Sequence, residues 1–139
     1  MVAVVTRTAV SADLGFLADL DTHLSAERLA QCVRDGRVLV AEADGERVGL
    51  LRWNLFWHLV PFMNLLFVSA DRRGQTVGTT LVTTWEQERR SAGHRMVLTS
   101  TSAAETAQHF YRKLGYVECG NLLLPDEPTE LLFRKAFVD

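Results

Sequence analysis

The stretch most suited to chemistry is Arg-Gly-Gln-Thr-Val-Gly-Thr at 73–79. It sits between an apolar run, FMNLLFVS at 62–69, and a helical stripe of Val77, Leu81, Val82 and Trp85. The start of a helix exposes N–H groups without intrahelical partners and carries about half a positive charge. Glycines at 74 and 78 let the backbone come close to a phosphate, and Arg72 and Arg73 add charge. Residue type and spacing therefore predict a diphosphate site over Arg73, Gly74, Gln75, Thr76, Val77, Gly78 and Thr79. The pattern is not Gly-x-x-x-x-Gly-Lys-Ser/Thr, so it is no P-loop. It is not Gly-x-Gly-x-x-Gly either, and it follows the fourth strand, a poor match to a dinucleotide fold. An ordinary tight strand-to-helix turn stays open as the alternative.

Other polar residues stand out against apolar surroundings. Tyr111 lies on a helical stripe with Ala103, Ala107, Phe110 and Leu114, where periodicity alone makes it a core residue. Arg52, Asn54 and Asn64 interrupt two apolar strands. By the two-residue period, Arg52, Asn54 and Phe56 share one face, and so do Phe62, Asn64 and Leu66. With Asn54 opposite Asn64, Arg52 would lie opposite Leu66, and the three polar residues would form a pocket. A guanidinium there suits a carboxylate, so an amino acid is the expected occupant; pairing of Arg52 with a local acid is the alternative. No Glu or Asp interrupts the central strands as a base. His58, in a loop, is a weaker candidate.

Those residues are positioned by a βααβββαβαββ order. Strands are expected at 2–8, 37–43, 46–57, 62–69, 95–100, 116–124 and 130–137, with Asp44-Gly45 as a hairpin turn. Ser11 and Ser25 can cap the first two helices, and Ser102-Ala-Ala-Glu105 reads as a capping box. The crossover from 62–69 through the glycine-loop helix to 95–100 is long enough for a parallel pair; the hairpins require antiparallel ones. The fold class is α/β, a mixed, mostly antiparallel sheet of about seven strands with helices on both faces.

Composition excludes several classes. The 139 residues suit one domain over 1–139, and a net charge of −2 gives no nucleic-acid or membrane surface. Two cysteines and four scattered histidines offer no disulfide framework and no metal spacing. Arg7 comes too early for a signal peptide, so the cytoplasm is the expected compartment. A homodimer is compatible with the sequence.

The loop after Val68, Arg73-Gly-Gln-Thr-Val-Gly78 followed by Leu81, resembles the Arg/Gln-x-x-Gly-x-Gly/Ala signature of the GNAT superfamily of N-acetyltransferases. Ala107-x-x-Phe110-Tyr111-Arg-Lys-Leu114-Gly115-Tyr116 resembles that family's Ala-x-x-Phe-Tyr-x-x-Leu-Gly-Phe helix end. The resemblance covers residues 2–138. It departs from the pattern at Thr76, where the family usually has glycine, and at Ala104, where it often has asparagine. It implies acetyl-CoA as cosubstrate, with its pantetheine arm along Leu66, Phe67 and Val68, its diphosphate on 73–79, and Tyr111 as general acid for the leaving thiolate. The implied reaction is acetyl transfer to a primary amine of a small molecule, or to a protein N-terminus or lysine. A catalytically weak acyl-CoA sensor is one alternative. FYRKLGY also resembles the glyoxalase/bleomycin-resistance superfamily, but that fold needs two βαβββ repeats and His/Glu ligands, and the sequence shows neither.

Overall fold

The computed structural model describes residues 3–74 and 76–138. The strands are β1 (Val4–Thr8), β2 (Val38–Ala43), β3 (Glu46–Phe56), β4 (Val60–Val68), β5 (Met96–Ser102), β6 (Val117–Leu122) and β7 (Glu130–Ala136); the helices are α1 (Leu14–Leu20), α2 (Ala26–Arg34), α3 (Val77–Ser91) and α4 (Ala107–Lys113). They form one seven-stranded sheet in the order β1-β2-β3-β4-β5-β7-β6. All neighbours are antiparallel except β4 and β5, which run parallel across α3. This is the mixed, mostly antiparallel α/β architecture expected, and the described residues contain no second βαβββ unit.

Alternation loads the two sheet faces separately. Leu51, Trp53, Met63, Val97 and Phe133 pack with Leu81, Val82 and Trp85 of α3 and Tyr111 of α4. Val38, Val40, Leu50, Leu65 and Phe67 pack with Leu17 of α1 and Leu29 of α2. In β4 the alternation slips. Arg52 pairs with Leu65, yet its neighbour Trp53 pairs with Met63, so Asn64 is an extra residue, a β-bulge. Leu65 therefore faces the α1/α2 side, and Leu66 and Val68 turn to the α3/α4 side. The expected register differs by one residue before the bulge and by two beyond it: Arg52 lies opposite Leu65, not Leu66, Asn54 lies opposite Phe62, not Asn64, and Leu66 does not share a face with Phe62.

Local signals hold at some positions and are overridden at others. Ser25 caps α2, its Oγ accepting the Arg28 N–H at 3.2 Å, and Asp44-Gly45 turns with φ of 54° and 77°. Ser102 caps nothing. It is the last residue of β5, paired with Glu130, its Oγ accepts from Ala104 N–H, and α4 starts only at Ala107. Ser11 lies inside a 3-10 turn. The N–H of Val10 is satisfied instead by the Asp13 carboxylate at 2.8 Å.

Asp13 is the electrostatic hub of the N-terminal half. Its side chain is fully buried, and it accepts from Arg7 of β1 and Arg47 of β3, both at 2.7 Å. The Arg7 guanidinium first, then the Val10 N–H and Arg47, hold the carboxyl far below the usual carboxylate range. A depressed folded-state pKa gives stability that is complete above the ordinary value of 3.8 and is lost as pH falls toward the folded one. Asp13→Asn should cost about 2–3 kcal/mol at pH 7, reduced because the arginines are part-exposed, and progressively less below pH ~3. Urea unfolding of both proteins at several pH values measures this.

Gly49 sets the seat of α3. A Cβ there would meet the Phe67 carbonyl at 2.9 Å, Leu81 Cδ1 at 3.1 Å and Val77 Cγ1 at 3.2 Å. Gly49→Ala should therefore cost about 1–3 kcal/mol by overpacking, measured by thermal melting.

Candidate active site

β4 and β5 pair at only two positions, Phe62 with Leu98 and Met63 with Thr99. Both strands continue, to Val68 and Ser102, without further pairing. The gap opens into a cleft of about 940 Å³. Its β4 wall is Leu66, Phe67 and Val68; its far wall is Ala104–Ala107, Phe110 and Tyr111; its rim is Arg72, Arg73, Gly74 and Thr76–Thr79 at the start of α3. The backbone groups of Leu66–Val68 on the β5 side have no strand partner, and buried backbone groups require one. Gln75 lies outside the described residues.

The rim has the chemistry that an anion site needs. α3 has 15 residues, so its first-turn N–H groups and dipole bear on the cleft. Gly74 has φ of 81°, which glycine adopts freely. Arg73 Nε donates to the Val68 carbonyl at 3.1 Å, which anchors the side chain without neutralising it. Arg72 is instead paired with Asp44 at 3.4 Å and Glu46 at 3.6 Å across the β2–β3 hairpin. At Gly78 an added Cβ would touch Phe110 and Val68 at 3.5–3.6 Å, so a larger side chain there competes with the contents of the cleft. Thr76 caps the helix in the left-handed region, φ 65° and ψ 9°, a strained conformation for a β-branched residue. Thr76→Gly should relieve that strain and raise stability by about 1 kcal/mol, visible as a higher Tm with the cleft intact.

Tyr111 is the titratable group at the base of the cleft. Its ring packs against Phe110, Tyr116 and Phe133, at 5.3, 5.7 and 6.4 Å between centroids. Burial pushes its pKa up to about 12, the Glu105 charge adds to this, and the neighbouring Thr99 hydroxyl opposes it. The phenol keeps its proton at neutral pH, as a general acid must. Thr99 Oγ1 donates to the Met63 carbonyl at 3.0 Å, so the phenol sits where the two strands part. Behind it Tyr116 Oη and Lys135 Nζ donate to Glu86 at 2.8 and 2.9 Å, a buried network the sequence did not reveal.

The expected polar pocket divides. Asn64 Nδ2 donates to Asn54 Oδ1 at 2.8 Å, and both line a second groove of about 730 Å³. That groove lies on the face opposite Trp53, Val97 and Phe133, beyond Leu65 and Phe67 of β4, which pack with residues of α1 and α2. Phe56, Phe62, Leu98 and Leu132 form its walls, and its floor reaches Thr99 and Phe133. Arg52 is absent from it. It is 7% exposed and bound through Nε and Nη2 to Asp21, the fully buried residue that ends α1. The Arg52 assignment to an acceptor pocket is thus corrected: the bulge puts Arg52 opposite Leu65, beneath the α1–α2 connection, and a distant acid in the chain claims its guanidinium. Arg52→Met leaves a buried carboxylate unpaired and should destabilise by about 3–5 kcal/mol, read by denaturant unfolding. His58 sits exposed in the β3–β4 turn with φ of 58°.

Comparison with known proteins agrees with this architecture. The family model described as "Acetyltransferase (GNAT) domain" matches residues 34–118. The chain belongs to the GNAT acetyltransferase family. A search of the curated proteins finds no match. Among solved structures, ribosomal-protein-alanine N-acetyltransferase from Brucella melitensis superposes with a TM-score of 0.80 at 24% identity, over 96% of this chain and 99% of that one. PaiA N-acetyltransferase from Thermoplasma acidophilum, in complex with coenzyme A, gives 0.82 at 14% identity, over 97% and 99%. Arabidopsis thaliana Naa50, in complex with the bisubstrate analogue CoA-Ac-MVNAL, gives 0.79 at 17% identity, over 96% and 99%. Among the described residues no group of His, Cys, Asp and Glu could hold a metal, and no helix is long and apolar enough to cross a membrane.

Proposed function

We propose that the protein transfers an acetyl group from acetyl-CoA to a primary amine. The observation that carries this is the coincidence, in one cleft, of an anion-binding helix start, an unpaired strand end and a phenol that retains its proton. The residues fit the cosubstrate. Gly74, Gly78 and the first-turn N–H groups of α3, with Arg73, would hold the diphosphate; the open backbone edge of Leu66–Val68 would bond the amides of the pantetheine arm. Acetyl-CoA supplies the activated thioester. Tyr111 then donates its phenolic proton to the departing sulfur. The fully formed cleft, together with this protonated phenol, favours turnover over an acyl-CoA sensor.

The acceptor enters from the opposite face. Thr99 lies between the two: it lines the apolar groove, and its side chain interacts with Tyr111 of the cleft. With Arg52 committed to Asp21, the guanidinium that remains among the described groove-lining residues is that of Arg134. The groove suits an amine with an apolar body, either a small molecule or the N-terminus of a peptide.

Coenzyme A should raise Tm in proportion to the logarithm of its concentration, and NAD and ATP should not. Tyr111→Phe should lower kcat by about 10²–10⁴ with unchanged coenzyme A affinity. Full activity of that variant across the pH range would remove Tyr111 as the acid. Free-thiol release from acetyl-CoA over a panel of amines and peptides measures the reaction itself.

A further inference from the structure

An acceptor amine arrives protonated and must lose a proton before it can attack. No acidic residue interrupts the central strands, yet the fold delivers a carboxylate from the last one. Ser100 follows Thr99, the last residue of β5 that pairs with β4. Because side chains alternate, Ser100 turns to the groove as Thr99 turns to Tyr111, and Ser100 lines the groove. Its Oγ donates to Glu130 Oε2 at 2.7 Å. Glu130 opens β7, opposite Ser102, on the same face as Leu132 and Arg134. The hydroxyl and carboxylate thus stand one residue beyond the point where the strands part, on the side from which the acceptor comes.

The geometry points to Ser100 and Glu130 as the proton-accepting pair for the acceptor amine. This rests on the acetyl-transfer reading above. The ammonium passes a proton to Ser100 Oγ as the Ser100 proton moves to Glu130 Oε2. The nitrogen lone pair then forms the C–N bond, the C–S bond breaks, and the sulfur takes the proton of Tyr111. The acylated nitrogen gives up its second proton to the Tyr111 phenolate through water, and the proton gained by Glu130 is released to water. Of the other residues lining the groove, Arg134 carries a charge and Cys119 is titratable; neither is a base suited to an ammonium. A hydroxyl bonded to a carboxylate can accept a proton that a lone serine cannot, and it does so without placing the charge in the apolar groove.

The test compares two nucleophiles of similar shape, benzylamine, protonated at neutral pH, and phenylhydrazine, largely neutral there. Glu130→Gln and Ser100→Ala should each lower kcat/KM for benzylamine by about 10²–10⁴, and that for phenylhydrazine by only a few-fold. Ser100→Thr, which keeps the hydroxyl, should restore most of the benzylamine rate. Amide shifts by NMR give a readout independent of turnover: benzylamine should perturb Ser100 and Asn64, and Glu130→Gln should weaken its binding but not that of benzyl alcohol. Equal losses for both nucleophiles, or no loss, would overturn the pair. If wild-type protein binds benzylamine at Ser100 but releases no thiol with any amine, the acetyl-transfer reading fails, whereas turnover without benzylamine shifts at Ser100 overturns the proposal alone.

Discussion

The site exists because two neighbouring strands in the middle of a sheet stop bonding to each other. A parallel pair ordinarily continues for the length of both strands, since every unpaired backbone group in an interior is a cost. Here β4 and β5 pair at two positions and then part, while the Asn64 bulge re-aims the rest of β4. The backbone edge left open is what a ligand with amide groups can satisfy, so the cost of an incomplete sheet becomes affinity. Everything around the gap keeps it open: α3 seated on Gly49 holds β4 from one side, and β7 holds β5 along its length.

The gap also makes the protein two-sided. The cleft and the groove lie on opposite faces, and Thr99, which lines the groove and bonds with the Tyr111 phenol of the cleft, lies between them. A reaction between a cosubstrate on one face and an acceptor on the other needs no shared entrance and no ordered displacement. On the proposed reading, the long, polar cosubstrate would follow the rim of helix N–H groups and Arg73. The groove face carries aromatic walls, the Phe56 ring tilted against Trp57 and Phe62 at 4.6 and 6.1 Å, and little charge.

Much of this was legible in the chain. Alternation, the Asp44-Gly45 turn and the spacing of the glycine loop predict the element order and the loop that rims the cleft, because each is a local property of residue type. The bulge was not legible. No residue type marks Asn64 as extra, and a one-residue slip reverses every inward and outward assignment beyond it; Leu66 was misplaced for that reason. Arg52 was misread for another. Its partner Asp21 is 31 residues away in sequence, on a helix end whose docking the strand pattern does not encode. Ser100 and Glu130 were passed over likewise, since each looks unremarkable until β7 is laid beside β5. Ser102 failed as a cap because strand pairing outcompeted a local helix signal.

The three tryptophans divide along the same lines. Trp85 is fully buried and Trp53 nearly so, their rings 6.2 Å apart, with the Arg89 and Arg37 guanidinium groups 4.1 and 5.0 Å from the centre of the Trp53 ring. Trp57 is 74% exposed at the lip of the groove. The molecule thus carries two distinct optical populations, a shielded pair beneath α3 that reports on the integrity of the core, and a single solvated indole whose emission answers to whatever enters the groove.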